Sequence, residues 1–302
     1  MSAPHLENNN HPKESRRTNQ ASNIRDTAVW SRIQERAARG LVQPRQLFLP
    51  GLEPFMRAMP NHIARSSLFA PVARGNKLIY KDEVLISRGD AVITFSGEQL
   101  DESQADVWMQ AMQEAIRQPL GEPVVINRDA FLKVLGRTTG GNDYKWLLSA
   151  MKALTFAMLV IQVHGRDGNL KLSVGKTRAL HLIDAFDYDD EIGRYIVRVD
   201  PRWQQLYGNH EFACIDWEKR LAIKRGQDMA KTLQRLAATS ADKVQRHGLE
   251  WLKDKLQYTS RIDKFRNSLR KAMDELERVG IIASGRLEIS TRGKEQVVWI
   301  KL

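Results

Sequence analysis

Between Thr259 and Val279 the sequence TSRIDKFRNSLRKAMDELERV sets Ile262, Phe265, Leu269, Ala272, Met273, Leu276 and Val279 at steps of three and four residues. That spacing lays a single apolar stripe along a long helix, and the stripe requires a core to cover it. Thr259 or Ser260 is expected to cap the first turn, and Gly280 suits the left-handed position after the last. Charge runs against the helix dipole: Arg261, Lys264, Arg266, Arg270 and Lys271 crowd the first half, while Asp274, Glu275 and Glu277 fill the second. Dipoles favour the reverse order. A helix that enters the major groove with its N-terminal half would use those bases on phosphates and guanine edges. An ordinary solvated basic face is the competing reading.

The net charge of +11 favours a polyanionic partner. It is concentrated late, since Gly208 to Leu302 carries 20 Lys and Arg against 13 Asp and Glu, so a basic binding face is expected in the last third. Cys214 is the only cysteine, which excludes an intrachain disulfide and a cysteine-based zinc site, and it reads as a core thiol. No apolar run is long enough to span a bilayer and the first residues lack a secretory signal, so a cytoplasmic protein without a membrane role is expected.

Residues 1–43 read as a disordered or flexible leader, being polar and poor in large apolar groups through Ser22. Residues 44–76 read as a linear-motif segment, because prolines at 44, 50, 54 and 60 exclude a long helix. A globular unit over 77–207 follows. It reads as two strands around Arg88-Gly89-Asp90, a helix Ser103 to Gln118, a strand Val124 to Ile126, and a helix Arg128 to Leu135 capped by Asn127. After the turn Gly136 to Gly141 comes a helix Asn142 to Leu154 capped by Asn142 or Asp143, then a hairpin of Ala157–His164 and Leu170–Gly175. Strands at Ala179–Phe186 and Arg194–Val199 are expected to enlarge that sheet. The pattern starts again over 208–302: helices Gln227–Ala238, Leu249–Gln257 and Thr259–Val279, then strands at Ile281-Ile282 and Val297–Ile300 around a turn at Ser284-Gly285 and the Arg292-Gly293-Lys294 loop. This order predicts an α+β fold of tandem winged-helix domains, each a helix-turn-helix with a β-wing.

No catalytic constellation stands out. Gly175-Lys176-Thr177 lacks the earlier glycine of a phosphate loop, with Leu170 in its place, and the acids Asp187, Asp189, Asp190 and Glu191 lack calcium-loop alternation. The chain reads as a binder, not an enzyme, with no cofactor and no metal. Candidate DNA contacts are Arg137, Thr138, Thr139, Lys145 and Lys152 in the first unit. In the second they are Arg261, Lys264, Asn267, Arg270 and Lys271, with Arg292 and Lys294 of the wing on phosphates. For Lys145 and Lys152 a solvated face is an equal alternative.

Met56-Arg-Ala-Met-Pro-Asn61 and Ala64-Arg-Ser-Ser-Leu-Phe69 resemble the entry to the conserved domain of TrfA-type plasmid replication initiators. Ile93 to Leu100, Asp106-Val-Trp108, Pro119 to Pro123 and Trp217-Glu-Lys219 are similar in order and character. The resemblance implies tandem winged helices, double-stranded origin DNA bound at iterons, and opening of adjacent AT-rich DNA, with single strands as a further ligand. It also implies host partners (sliding clamp, initiator protein and replicative helicase) and a monomer–dimer switch. The family places a Gln-Leu-x-Leu-Phe clamp peptide ahead of this domain. Gln46-Leu47-Phe48-Leu49 stands in that place, with Pro50 where the terminal Phe belongs. Clamp binding and packing on its own domain both remain open for that peptide. A winged-helix transcriptional repressor without a replication role is the alternative for the whole chain.

Overall fold

The computed structural model describes residues 55–302, apart from positions 73, 74, 76, 89, 117, 119, 120, 166, 209 and 210. The chain enters through β1 (Met56–Pro60), α1 (Asn61–Arg65) and β2 (Phe69–Ala70), then forms β3 (Ile79–Leu85), β4 (Ala91–Glu98) and β5 (Leu100–Asp101). Next come α2 (Glu102–Ala115), β6 (Val124–Asn127), α3 (Arg128–Val134), α4 (Gly141–Phe156), β7 (Met158–His164) and β8 (Leu170–Val174). The first half continues through β9 (Leu180–His181), β10 (Ala185–Asp189), β11 (Arg194–Arg198) and α5 (Trp203–Tyr207). After β12 (Phe212–Asp216) and α6 (Trp217–Ala222) come α7 (Asp228–Ala238), β13 (Val244–Gly248), α8 (Leu249–Lys255), α9 (Ile262–Arg278), β14 (Ile282–Ile289) and β15 (Glu295–Lys301). Helices and strands are mixed throughout, as the α+β reading expects.

The first core forms around α2. Asp101 accepts from the Gln104 backbone while the Gln104 side chain takes the Asp101 N–H, each at 2.9 Å, so both free donors at the helix start are satisfied. Val107, Trp108 and Met109 then lie fully buried among the strands and α4. Asn127 caps α3 through the Ala130 N–H at 2.9 Å, as its sequence position predicts. The second core gathers residues from Ile223 to Trp299, with the α9 stripe at its centre: Phe265, Leu269, Ala272 and Leu276 are fully buried.

Several expectations need correcting. Met56–Ala70, assigned to a linear-motif segment, is part of the fold, with Met59, Ile63, Phe69 and Ala70 fully buried. β12, assigned to the second half, pairs antiparallel with β1, so Ala213 and Ile215 belong to the first core. Cys214 alternates with them along the strand and is therefore exposed, not a core thiol. The strands after β8 do not simply enlarge the hairpin sheet. Only β9 joins β7, while β10 and β11 build a separate sheet with β6. Leu182 and Ile183 turn into the core between β9 and β10 and divide the expected strand in two. β13, absent from the sequence reading, pairs with β15 in the order β13-β15-β14. Ser284-Gly285 is not a turn but a bulge inside β14: Ser284 takes a φ of +56°, and the Gly285 N–H donates to the Glu277 carboxylate at 2.6 Å.

Among the described residues no helix is long and apolar enough to cross a membrane.

Candidate nucleic-acid interface

The stripe that buries one face of α9 leaves the other face to carry charge. Arg261 sits at the N-cap with no side-chain cap bond, so neither Thr259 nor Ser260 takes the role expected of it. Gly280, at a φ of +69°, terminates the helix as its position predicts. Arg261, Lys264 and Lys271 are exposed, and their side chains have no ion-pair or hydrogen-bond partner among the described residues. Arg270 is exposed and reaches the Asn267 side-chain oxygen at 3.3 Å, which aligns the two polar groups on the same face. Arg278, at the far end, is committed elsewhere: it donates to Glu275 and to the Ala222 carbonyl, each at 2.6 Å.

Arg266 serves a structural purpose that the sequence reading missed. It pairs in two-pronged fashion with Glu295 at the start of β15, at 3.1 and 2.6 Å, and also with Asp263. The Arg266 guanidinium holds the Glu295 carboxyl below its usual range. This clamp ties the first half of α9 to the turn end of the β14–β15 hairpin, where Glu295 pairs with Ile289. At the tip the Ser290 N–H donates to the Lys294 carbonyl and the Gly293 N–H to the Ser290 carbonyl, with Gly293 at a φ of +72°. Arg292 and Lys294 project from that tip, exposed and without an ion-pair partner among the described residues. The Asp263–Arg266 spacing of three signals the local pair, whereas Glu295 lies 29 residues from Arg266 and no local pattern points to it.

In the first half, the turn between α3 and α4 is organised on Asp143. Its carboxylate accepts from the Thr138 hydroxyl and N–H and from Arg137 at 2.9 Å; the Thr138 hydroxyl and then Arg137 hold it below the usual carboxylate range. Arg137 also lies over the Trp146 ring, 3.3 Å from its centroid. Asp143 therefore braces the turn from inside the helix, and the N-cap is Gly140 instead of Asn142 or Asp143. Arg137 and Thr138 are drawn into this brace, while Thr139, Lys145 and Lys152 remain exposed. The peptide Gln46, Leu47, Phe48 and Leu49 lies outside the described residues, as does the leader.

The halves are fastened by a buried polar cluster. Glu102 on α2 accepts from Arg220 at 2.8 Å, from Arg235, and from the Thr232 hydroxyl at 2.7 Å. Glu102, Arg220 and Arg235 are all fully buried. Despite desolvation, the two guanidiniums hold the Glu102 pKa at about 2. Asp106 extends the cluster to Arg220 and to Lys231 at 2.7 Å. Lys255 is also fully buried and donates to the Ser66 carbonyl at 3.0 Å. The two basic sets are thus carried on a joined frame.

A frame of this kind defines an α+β protein of two parts, each presenting an exposed helix beside a β-hairpin. The chain belongs to the TrfA family: the family described as TrfA protein matches residues 17–289. The plasmid replication initiator protein TrfA of Escherichia coli is 25% identical over 255 residues, covering 80% of this chain. That match spans 63% of the relative, so the chain accounts for under two thirds of its length. The crystal structure of domains 2 and 3 of RctB shares the fold, with a TM-score of 0.53 at 12% identity over 80% of this chain and 98% of that one.

Proposed function

We propose that this protein is a plasmid replication initiator that binds iteron repeats at an origin through tandem winged helices. The observation that carries the reading is the Arg266–Glu295 clamp, which sets the unpaired bases of α9 beside the hairpin tip bearing Arg292 and Lys294. The second half follows winged-helix order: α7, β13, α8, α9 and the β14–β15 wing, with β13 against β15. In the first half, α2, β6, α3, α4 and the β7–β8 hairpin stand in the same order. On this reading α9 and α4 enter successive major grooves. Arg261, Lys264, Asn267, Arg270 and Lys271 meet base edges and phosphates, Arg292 and Lys294 meet phosphates, and Thr139, Lys145 and Lys152 serve the first helix.

The protein performs no reaction of its own in this account. It opens adjacent AT-rich DNA and recruits the host clamp, initiator and helicase, which family membership supports. Footprinting on the DNA beside the gene, joined to an origin-dependent plasmid maintenance assay, tests the proposal. Protected repeats together with maintenance are the expected result. Protection without maintenance would instead leave a repressor.

A further inference from the structure

The turn that joins α8 to α9 is built on an unusual residue. Leu256 closes α8, the Gln257 N–H donates to the Asp254 carbonyl at 2.9 Å, and the Tyr258 N–H donates to the Lys253 carbonyl at 3.0 Å. This crossed pair of bonds needs a left-handed residue after the helix, which Gly or Asn normally supplies. Here the residue is Gln257, at a φ of +50°. Such a strained position gains nothing locally from a long side chain, so the glutamine points to a partner outside the turn. The partner is Gln99, between β4 and β5 of the first half, whose side-chain amide donates to the Gln257 side-chain oxygen. Gln99 is only 4% exposed, and its own side-chain oxygen accepts from the Leu78 N–H at 3.2 Å. That second bond fixes which end of the amide faces Gln257. Apolar packing does not replace the contact at this corner. A hollow of about 510 Å³ opens there between the halves, with Leu78 and Tyr80 on one wall and Leu256 and Tyr258 on the other. Arg261, the N-cap of α9, follows Gln257 by four residues.

We propose that Gln257 is a positioning residue: bonded to Gln99, it locks the start of α9 to the first half and so sets the distance and angle between α9 and α4. The specificity it confers is for the spacing of the two stretches contacted within one repeat, not for any base. Two other fastenings, the Glu102–Arg235 pair and Lys255 on the Ser66 carbonyl, hold α7 and α8. The glutamine pair acts instead on the connection that leads into α9. The spacing role rests on the DNA-binding reading above; the lock itself does not.

The test uses the full chain carrying Gln257→Gly or Gln257→Asn. Both replacements suit the left-handed turn and both are too short to reach Gln99, so the fold is kept while the lock is lost. Circular dichroism spectra should match wild type. With Cys214→Ser as background, spin labels are placed through Lys133→Cys and Asp274→Cys, exposed positions in the two halves, and distances are read without DNA. A narrow distribution in the parent and a broader or shifted one in both variants are expected. Binding is then measured on a repeat identified by footprinting, and on copies with one base pair inserted or removed between the stretches that the two helices protect. The variants should bind the native repeat roughly threefold to tenfold more weakly, about the worth of one neutral buried hydrogen bond. They should also lose proportionately less than the parent when the spacing changes. If no duplex binds any form, the DNA-binding reading fails and the spacing role with it, while the distances still decide the lock. Distances unchanged in both variants overturn the lock and leave Gln257 as no more than the end of α8. Changed distances with unaltered affinity and spacing preference overturn its part in recognition.

Discussion

Arg235 of α7 donates to Glu102 of α2 with both side chains wholly shielded from solvent, so an ion pair bridges the two halves in the interior. Arg235 also donates to the Phe69 carbonyl at 3.0 Å, which fastens β2 to the same point. Desolvating two charges is compensated only when both are present, and removing one leaves the other stranded.

Glu102→Gln should therefore cost roughly 3–5 kcal/mol of stability, well above the effect of a surface pair. Chemical denaturation measures it. Because the Glu102 pKa is held at about 2 against 4.5 for the free group, its contribution is complete above about pH 4.5 and is lost as pH falls toward 2. The variant should lack that acid-limb loss. A flat difference between wild type and variant from pH 5 to pH 2 would contradict the assignment.

Lys255 predicts the opposite limb. Its pKa is held at about 7 by burial and by the charge of Arg235, against 10.5 when unfolded. Between those values the unfolded chain binds a proton that the folded one has shed, so stability rises with pH across that window. Below about pH 7 the cost of the buried charge is fully present. Lys255→Met should remove the rise, so that the advantage of the variant shrinks between pH 7 and pH 10.5 in thermal melts.

On α9 the free bases and the committed ones should separate cleanly. Arg261→Ala and Lys264→Ala are expected to weaken iteron binding. A lost phosphate contact should flatten the salt dependence by about one unit of slope, and a lost base contact should cost about 1–3 kcal/mol on the preferred sequence. Arg278→Ala should leave specificity alone and lower stability, because its guanidinium holds Glu275 and the Ala222 carbonyl. Mobility shifts across a salt series decide the matter, and folded Arg261 and Lys264 variants with unchanged affinity would exclude α9 as the reading helix.

Glu295→Gln offers a sharper test of the wing. It leaves every candidate contact residue in place and weakens the Arg266 clamp that aligns α9 with the hairpin. Reduced affinity, with a circular dichroism spectrum like that of wild type, is the expected outcome.

Replacing Gln46 and Leu47 by Ala should abolish capture of the sliding clamp while iteron binding persists. Joint loss of solubility and DNA binding would show instead that the peptide packs on its own domain.

The elements most legible in the sequence are those fixed by local chemistry. Periodicity marked α9, Asn127 marked the start of α3, and Gly280 marked an end, because a stripe, a cap and a left-handed residue each act within one turn. The pairing of β12 with β1 was not legible, since residues so distant in sequence meet only through the tertiary fold. β13 was missed for another reason: VQRHG alternates exposed and buried positions with Gln245 and His247 inside, so its buried face is polar and no apolar pattern appears. Likewise the sequence showed five bases in the first half of α9 but could not separate Arg266, spent on Glu295, from its free neighbours.

The β1–β12 pairing has a consequence for synthesis. As the chain leaves the ribosome, β1 has no strand to pair with until residues 212–216 have emerged, and Glu102 has no counter-charge until Arg220 and then Arg235 follow. The N-terminal half therefore cannot complete its fold while the C-terminal half is still being made. Neither piece is a module that recombination could exchange unchanged. A chain truncated by a premature stop near residue 207 would present an open strand edge and a carboxylate stripped of its partners and cover, features that mark it for aggregation or proteolysis rather than for binding an origin.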